Sequence, residues 1–193
     1  MLTTLETIKS RLGIDSFDTH DDALLNRFLR HASTRFEMEC NRKFDRLENA
    51  TDQFQGDTSH LIVTRYPIET VSGFELKTNE RTGWEALTDV DYLLRPGGVI
   101  CLAQILGAES QILRVTYTGG YVLPGDTPAA GQTALPDDLE QACVEQIAFW
   151  YQRREQLGIV NVSGEGGTIK LPNNADLLPQ VTAILKRYAR ICL

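Results

Sequence analysis

The chain has 193 residues, 42% of them hydrophobic and 23% charged, which is enough material for a packed core and excludes wholesale disorder. A formal net charge of -7 excludes a uniformly attractive field toward nucleic-acid phosphates, so any DNA contact needs a local basic patch. The amino terminus has no charged stretch leading into an apolar one, and no run of about 18 apolar residues occurs, so the expectation is synthesis in the cytoplasm with no membrane span.

Thr3, three residues ahead of Glu6, reads as a capping box, and Gly13 after Leu12 reads as a stop, which together predict a short helix over 4–12. After the polar stretch 15–22, Leu25, Phe28, Leu29, Ala32, Phe36 and Cys40 recur at helical spacing and predict a second helix over 21–43. From about residue 53 the chain turns to short segments rich in β-branched and aromatic residues. Strands are predicted at 60–67, 71–77, 84–87, 91–95, 99–102 and 111–118. Asn79 to Gly83 and Pro96-Gly97-Gly98 fall between them as hairpin turns, and an antiparallel meander is the economical topology.

Glycines and prolines interrupt 119–136 too often for regular structure, so a long exposed loop is expected there. Pro136-Asp137-Asp138 then starts a third helix with Leu139, Cys143, Val144, Ile147, Ala148 and Trp150 or Tyr151 inward, and Arg153 and Arg154 at the end where cations suit the helix dipole. The stretch 158–174, with Gly164-Glu165-Gly166-Gly167, has no period and reads as a second mobile loop. Pro179 opens the last helix, with Val181, Ile184, Leu185, Tyr188 and Ile191 as its apolar stripe. The predicted fold is α+β, with a helical domain formed by residues 1–50 and 136–193 and a β-rich insertion over 51–135.

No local signature of catalysis emerges. His20, His31 and His60 are scattered, and Cys40, Cys101, Cys143 and Cys192 are widely spaced, so no metal site is expected and the thiols read as buried and free. Gly164 to Lys170 resembles a phosphate cradle only superficially, because the sequence runs into a proline-broken apolar stretch instead of a helix start. Asp21-Asp22 and Asp137-Asp138 stand at helix starts, where negative charge offsets the dipole, and no nucleophile elbow is present. The expectation is therefore no cofactor, no metal and no enzyme, an enzyme with a site assembled from separated residues being the lesser alternative. Two surface features remain as interface candidates. One is the basic cluster Arg35, Arg42, Lys43 and Arg46, which could meet DNA or an acidic partner; the other is the end of the third helix, with Trp150, Tyr151, Arg153 and Arg154.

The segments TLETIKSRLGID and DDALLNRFLRHASTRFEMECNRKF resemble the amino-terminal helix pair of the head-tail connector, or head-completion adaptor, family of tailed bacteriophages and prophages. YPIETVSGFEL, DYLLRPGGVICL, ILRVTYTGGY and LPDDLEQACVEQIAFWYQRRE resemble the strands and penultimate helix of its longer members. The resemblance covers most of the chain outside 45–60 and 157–175. It implies a structural subunit of the virion neck that docks on the portal protein and meets a neck or tail-completion protein, as a homo-oligomeric ring. A DNA-contacting packaging accessory is the alternative. The loops at 119–135 and 158–174 are expected to order on assembly.

Overall fold

A computed structural model describes residues 1–154, 176–190 and two short strands between them, at 161–164 and 167–170. The chain divides into two compact units. One comprises Met1–Cys40 and Leu135–Ala189, and the other Asn41–Ala134 together with Arg190.

The first unit contains four helices. α1 (Leu5–Leu12) begins at Thr4, not Thr3: the Thr4 hydroxyl accepts from the Thr7 amide at 3.1 Å, while Thr3 is buried and its hydroxyl donates to the Glu140 carboxylate at 2.9 Å. The expected Thr3–Glu6 capping box is therefore replaced by a cap one residue later. Gly13 ends the helix as predicted, at φ 69° in the left-handed region that its missing Cβ makes accessible. α2 (Asp22–Cys40) buries Leu25, Leu29, Ala32, Phe36 and Cys40, the heptad-like stripe read from the sequence. It stops three residues short of the expected end, because Asn41 takes φ 48° and the chain leaves for the other unit.

α3 (Asp137–Gln152) is the central element, packing against α1, α2 and α4 (Pro179–Tyr188). That position explains its wide buried face: Leu139, Ala142, Cys143, Val144, Gln146, Ile147, Ala148 and Trp150. Gln146 is polar but fully buried, and its side-chain oxygen accepts at 2.8 Å from the amide of Leu178, the N-cap of α4, whose own side chain makes no capping bond. Between α3 and α4, part of the stretch expected to be a loop is a pair of antiparallel strands, β8 (Asn161–Gly164) and β9 (Gly167–Lys170). Glycines mid-segment and the absence of any long apolar run concealed it. The remainder of that predicted loop, with Ile191 and Cys192, lies outside the described residues.

The second unit is built from two antiparallel sheets. The larger has the order β1-β7-β3-β4, from β1 (Leu47–Gln55), β3 (Ile68–Lys77), β4 (Trp84–Leu87) and β7 (Ile112–Gly119); the smaller has the order β2-β6-β5, from β2 (His60–Ile62), β5 (Tyr92–Arg95) and β6 (Val99–Leu102). Within this unit only β3–β4 and β5–β6 are hairpins, so the expected meander is wrong: β7 returns to lie between β1 and β3. The two hairpin turns are those predicted, with Gly83 at φ 74° and Gly97 and Gly98 at 83° and 75°. Both sheets contribute to one core of Ala50, Leu61, Val63, Phe74, Ile100, Leu102, Leu113, Val115 and Tyr117.

β1 was not foreseen, and residues 41–50, expected with the helices, belong to this unit. Its sequence LENATDQFQ alternates, but the inward positions are Ala50, Asp52 and Phe54, only one of them a large apolar residue. A positive φ at Asn49 and a register shift between Leu47 and Ala50 disrupt the pattern further. The loop after β7 carries no regular element, as expected, yet it is fixed locally. The Val122 amide donates to Thr133 at 2.8 Å and Ala129 to the Gln132 side chain at 2.9 Å.

Candidate functional site

The basic residues picked out from the sequence separate into different environments. Arg42 is 3% exposed, with its guanidinium stacked over Tyr66 at 3.3 Å and beside Phe44 and Tyr121, and it donates to the Tyr66 carbonyl. It holds the β unit together and cannot offer charge to a partner. Arg46 grips Glu69 through two bonds of 2.8 and 2.9 Å and reaches Glu48 at 3.0 Å; these carboxylates raise its pKa further and cancel its field. Arg35 pairs with Glu39 at 2.8 Å one helical turn away. Lys43 is exposed, and its backbone amide donates to the Thr64 carbonyl at 2.9 Å. The sequence cluster is thus largely compensated, for reasons no linear reading of positive residues could contain.

At the end of α3, Trp150 turns inward, 7% exposed, with its ring 4.9 Å from His31 and 6.1 Å from Phe28. It is a core residue, so the expectation that it meets a partner is corrected. Tyr151 is half-buried and donates to Asp21, while Asp138 accepts from Tyr188, so both paired-acid motifs hold tyrosines as well as standing at helix starts. Arg153 is buried against Phe149, and Arg154 stacks on Tyr151 at 4.1 Å and donates to its carbonyl at 2.9 Å, closing the helix end.

Two arrangements that sequence reasoning missed organise the surfaces. In the β unit, the Asp52 carboxylate accepts from the Thr64 amide at 2.6 Å, from the Thr64 hydroxyl at 2.9 Å and from Tyr117 at 2.8 Å, and the Tyr117 oxygen in turn accepts from the Arg65 amide at 3.0 Å. Burial pushes the Tyr117 phenol from 10.0 up to about 12, with Asp52 adding to the effect. A raised pKa stabilises the neutral phenol in the folded state, so this contribution is complete below pH 10 and fades as pH rises through about 12. Two pKa units correspond to at most about 3 kcal/mol. Tyr117→Phe is therefore expected to lie below wild type in urea stability at pH 9, with the gap narrowing toward pH 12; a gap constant with pH would remove the phenol from the account.

In the helical unit, Lys9 is 4% exposed although it sits on a short amphipathic helix. Its ammonium pairs with Asp22 at 2.6 Å and donates to the carbonyls of Ser16 at 3.2 Å and Asp18 at 2.7 Å. Those two carbonyls flank Phe17, which is 92% exposed. The loop is fixed again where the Asp15 side chain accepts from the Phe17 amide at 2.8 Å and Asp18 from the His20 amide at 3.0 Å. Phe17 is thus an exposed aromatic on an ordered loop. Other exposed apolar side chains include Met38, Leu93 and Ile105. Cys40 and Cys143 are buried, the Cys40 thiol donating to the Leu185 carbonyl at 3.4 Å and burial raising Cys143 to about 12, and Cys101 is half-buried. Among the described residues, no group of three or more His, Cys, Asp or Glu is placed to hold a metal ion, and no helix is long and apolar enough to cross a membrane.

A family model described as head completion protein matches residues 1–191. The chain belongs to that family. It is a structural family of phage head completion, and the fold has counterparts in solved particles. A chain in the neck of an empty gene transfer agent particle, computed with C6 symmetry, is similar at TM-score 0.59 and 15% identity, covering 97% of this chain and 89% of that one. A chain of the virion of a native gene transfer agent particle is similar at TM-score 0.56 and 18% identity, with the same coverage. No curated protein matches by sequence. Head completion, virion assembly and a connector role therefore follow from the family, and the β-rich middle of the chain is part of a fold that the chain from the gene transfer agent neck shares along nearly its whole length.

Proposed function

We propose that the chain is a neck subunit that docks on the portal ring and forms a ring through which head and tail are joined. The observation that carries this reading is the head completion match over residues 1–191, joined to a fold similar to that of a chain in a C6 neck. A connector must match a cyclic portal, and head-to-tail contacts between identical subunits close into rings when the rotation permits. Exposed apolar side chains such as Phe17 and Met38 supply contact area without a catalytic apparatus. The compensated state of Arg42 and Arg46 argues against the DNA-contacting alternative. The loop at 119–135, already fixed at its base, would close on a neighbour through its exposed residues.

Sedimentation of the purified chain with the portal ring of the same genome tests this. The expected result is co-sedimentation at a fixed ratio of chain to portal. A chain that stays light across concentration and salt would overturn the docking reading.

A further inference from the structure

Resting on the ring reading above, we infer that Phe17 is the knob of the subunit-subunit contact and that a second copy of this chain supplies its socket, the depression beneath α4. The knob is prepared for the role. Phe17 is 92% exposed, yet the carbonyls on either side of it are held by the buried Lys9 ammonium and its own amide by Asp15. An aromatic side chain on a loop already ordered loses little conformational freedom on docking, and such rigid aromatic anchors carry a large share of binding free energy.

The socket has a volume of about 210 Å³ and is lined by Glu39, Leu177, Thr182, Leu185, Lys186 and Ala189. A cavity of roughly 150 Å³ accommodates a benzene ring, so the phenyl group fits. Among the described lining residues Leu177, Leu185 and Ala189 are aliphatic, and the charge at the rim complements the knob. Glu39 is neutralised by Arg35 at 2.8 Å, which leaves Lys186, in the basic last turn of α4, to face the exposed Asp15 and Asp18 beside Phe17. Another depression on this unit, lined by Arg11, Glu145, Ala148, Phe149, Gln152, Leu178 and Gln180, carries four polar side chains among its described lining residues.

Position decides between a contact within one copy and one between copies. Phe17 precedes the start of α2, and Glu39 stands at its end, so knob and socket are separated by about 25 Å along the helix axis at 1.5 Å per residue. A knob at one end and a socket at the other cannot meet in the same chain. In the ring they make a heterologous contact, the kind that propagates from copy to copy until it closes.

Phe17→Ala and Lys186→Glu, both at exposed positions, are the variants, and their thermal unfolding should match wild type. Wild type is first loaded onto the portal ring; failure at that step removes the ring reading and the inference with it. Where wild type loads, Phe17→Ala is expected to need at least about tenfold more protein for the same occupancy, in line with an aromatic anchor, and Lys186→Glu a smaller excess. Equal loading of Phe17→Ala and wild type would overturn the inference while leaving the ring intact. The pair Phe17→Cys and Ala189→Cys, oxidised on the portal beside a wild-type control for the native thiols, should give a ladder of chain-to-chain products. A chain-to-portal adduct through residue 17 would assign the knob to the portal and overturn it as well.

Discussion

Asp52→Ala is expected to destabilise the β unit by about 3 kcal/mol, because one carboxylate serves three donors and each buried donor left without a partner costs about 1–3 kcal/mol. Asp52 projects from β1, and its partners lie on the segment after β2 and on β7, so it joins the strand at one edge of the large sheet to the chain leaving the small one. The site is only half-buried at Asp52 and Thr64, which lets water replace part of the loss and keeps the estimate below the sum of three full penalties. Urea denaturation followed by Tyr fluorescence and by circular dichroism would measure it. A loss under about 1 kcal/mol would mean that the side chain fills space without bonding. Asp52→Asn is the companion variant: it keeps the shape and one acceptor oxygen but loses the charge that strengthens the bonds, and should fall between the two.

Lys9→Ala is expected to cost the helical unit about 3 kcal/mol, the low end of what breaking a buried ion pair takes, because Asp22 keeps some contact with water. The same change releases the carbonyls of Ser16 and Asp18, so the loop that presents Phe17 loses its anchor. Stability and assembly should thus fall together. Lys9→Met separates them in part: it retains the buried aliphatic stem but neither pairs with Asp22 nor holds the carbonyls, and should recover packing without recovering portal loading. Thermal unfolding and sedimentation with the portal ring, run on the same samples, check both. Wild-type loading by Lys9→Met would detach the lysine from assembly.

The helices were legible because each buries a stripe whose period the sequence repeats: Leu25, Leu29, Ala32, Phe36 and Cys40 on α2, and Leu139, Cys143 and Ile147 on α3. Turns at Gly13, Gly83 and Gly97-Gly98 were legible because a left-handed backbone selects glycine locally. The α+β class followed from that order of elements, and the family resemblance rested on segments such as TLETIKSRLGID and LPDDLEQACVEQIAFWYQRRE. β1 was not legible, since an alternation of Ala50, Asp52 and Phe54 becomes a buried face only once β7 lies beside it. The meander failed for the same reason, because strand order depends on pairings between residues far apart in sequence, and β7 lies between β1 and β3.

Charge shows the division most plainly. The sequence by itself determined that Lys9, Arg42 and Arg46 are cations and that Phe17 is a large apolar group in a polar stretch. Only the tertiary structure decided that Lys9 fastens a loop, that Arg42 lies under three aromatic rings, that Arg46 is cancelled by Glu69, and that Phe17 stands in solvent. The physical reason is range. Helix and turn preferences are settled within a few residues, whereas the field and exposure of a side chain depend on whichever groups folding brings within about 4 Å of it.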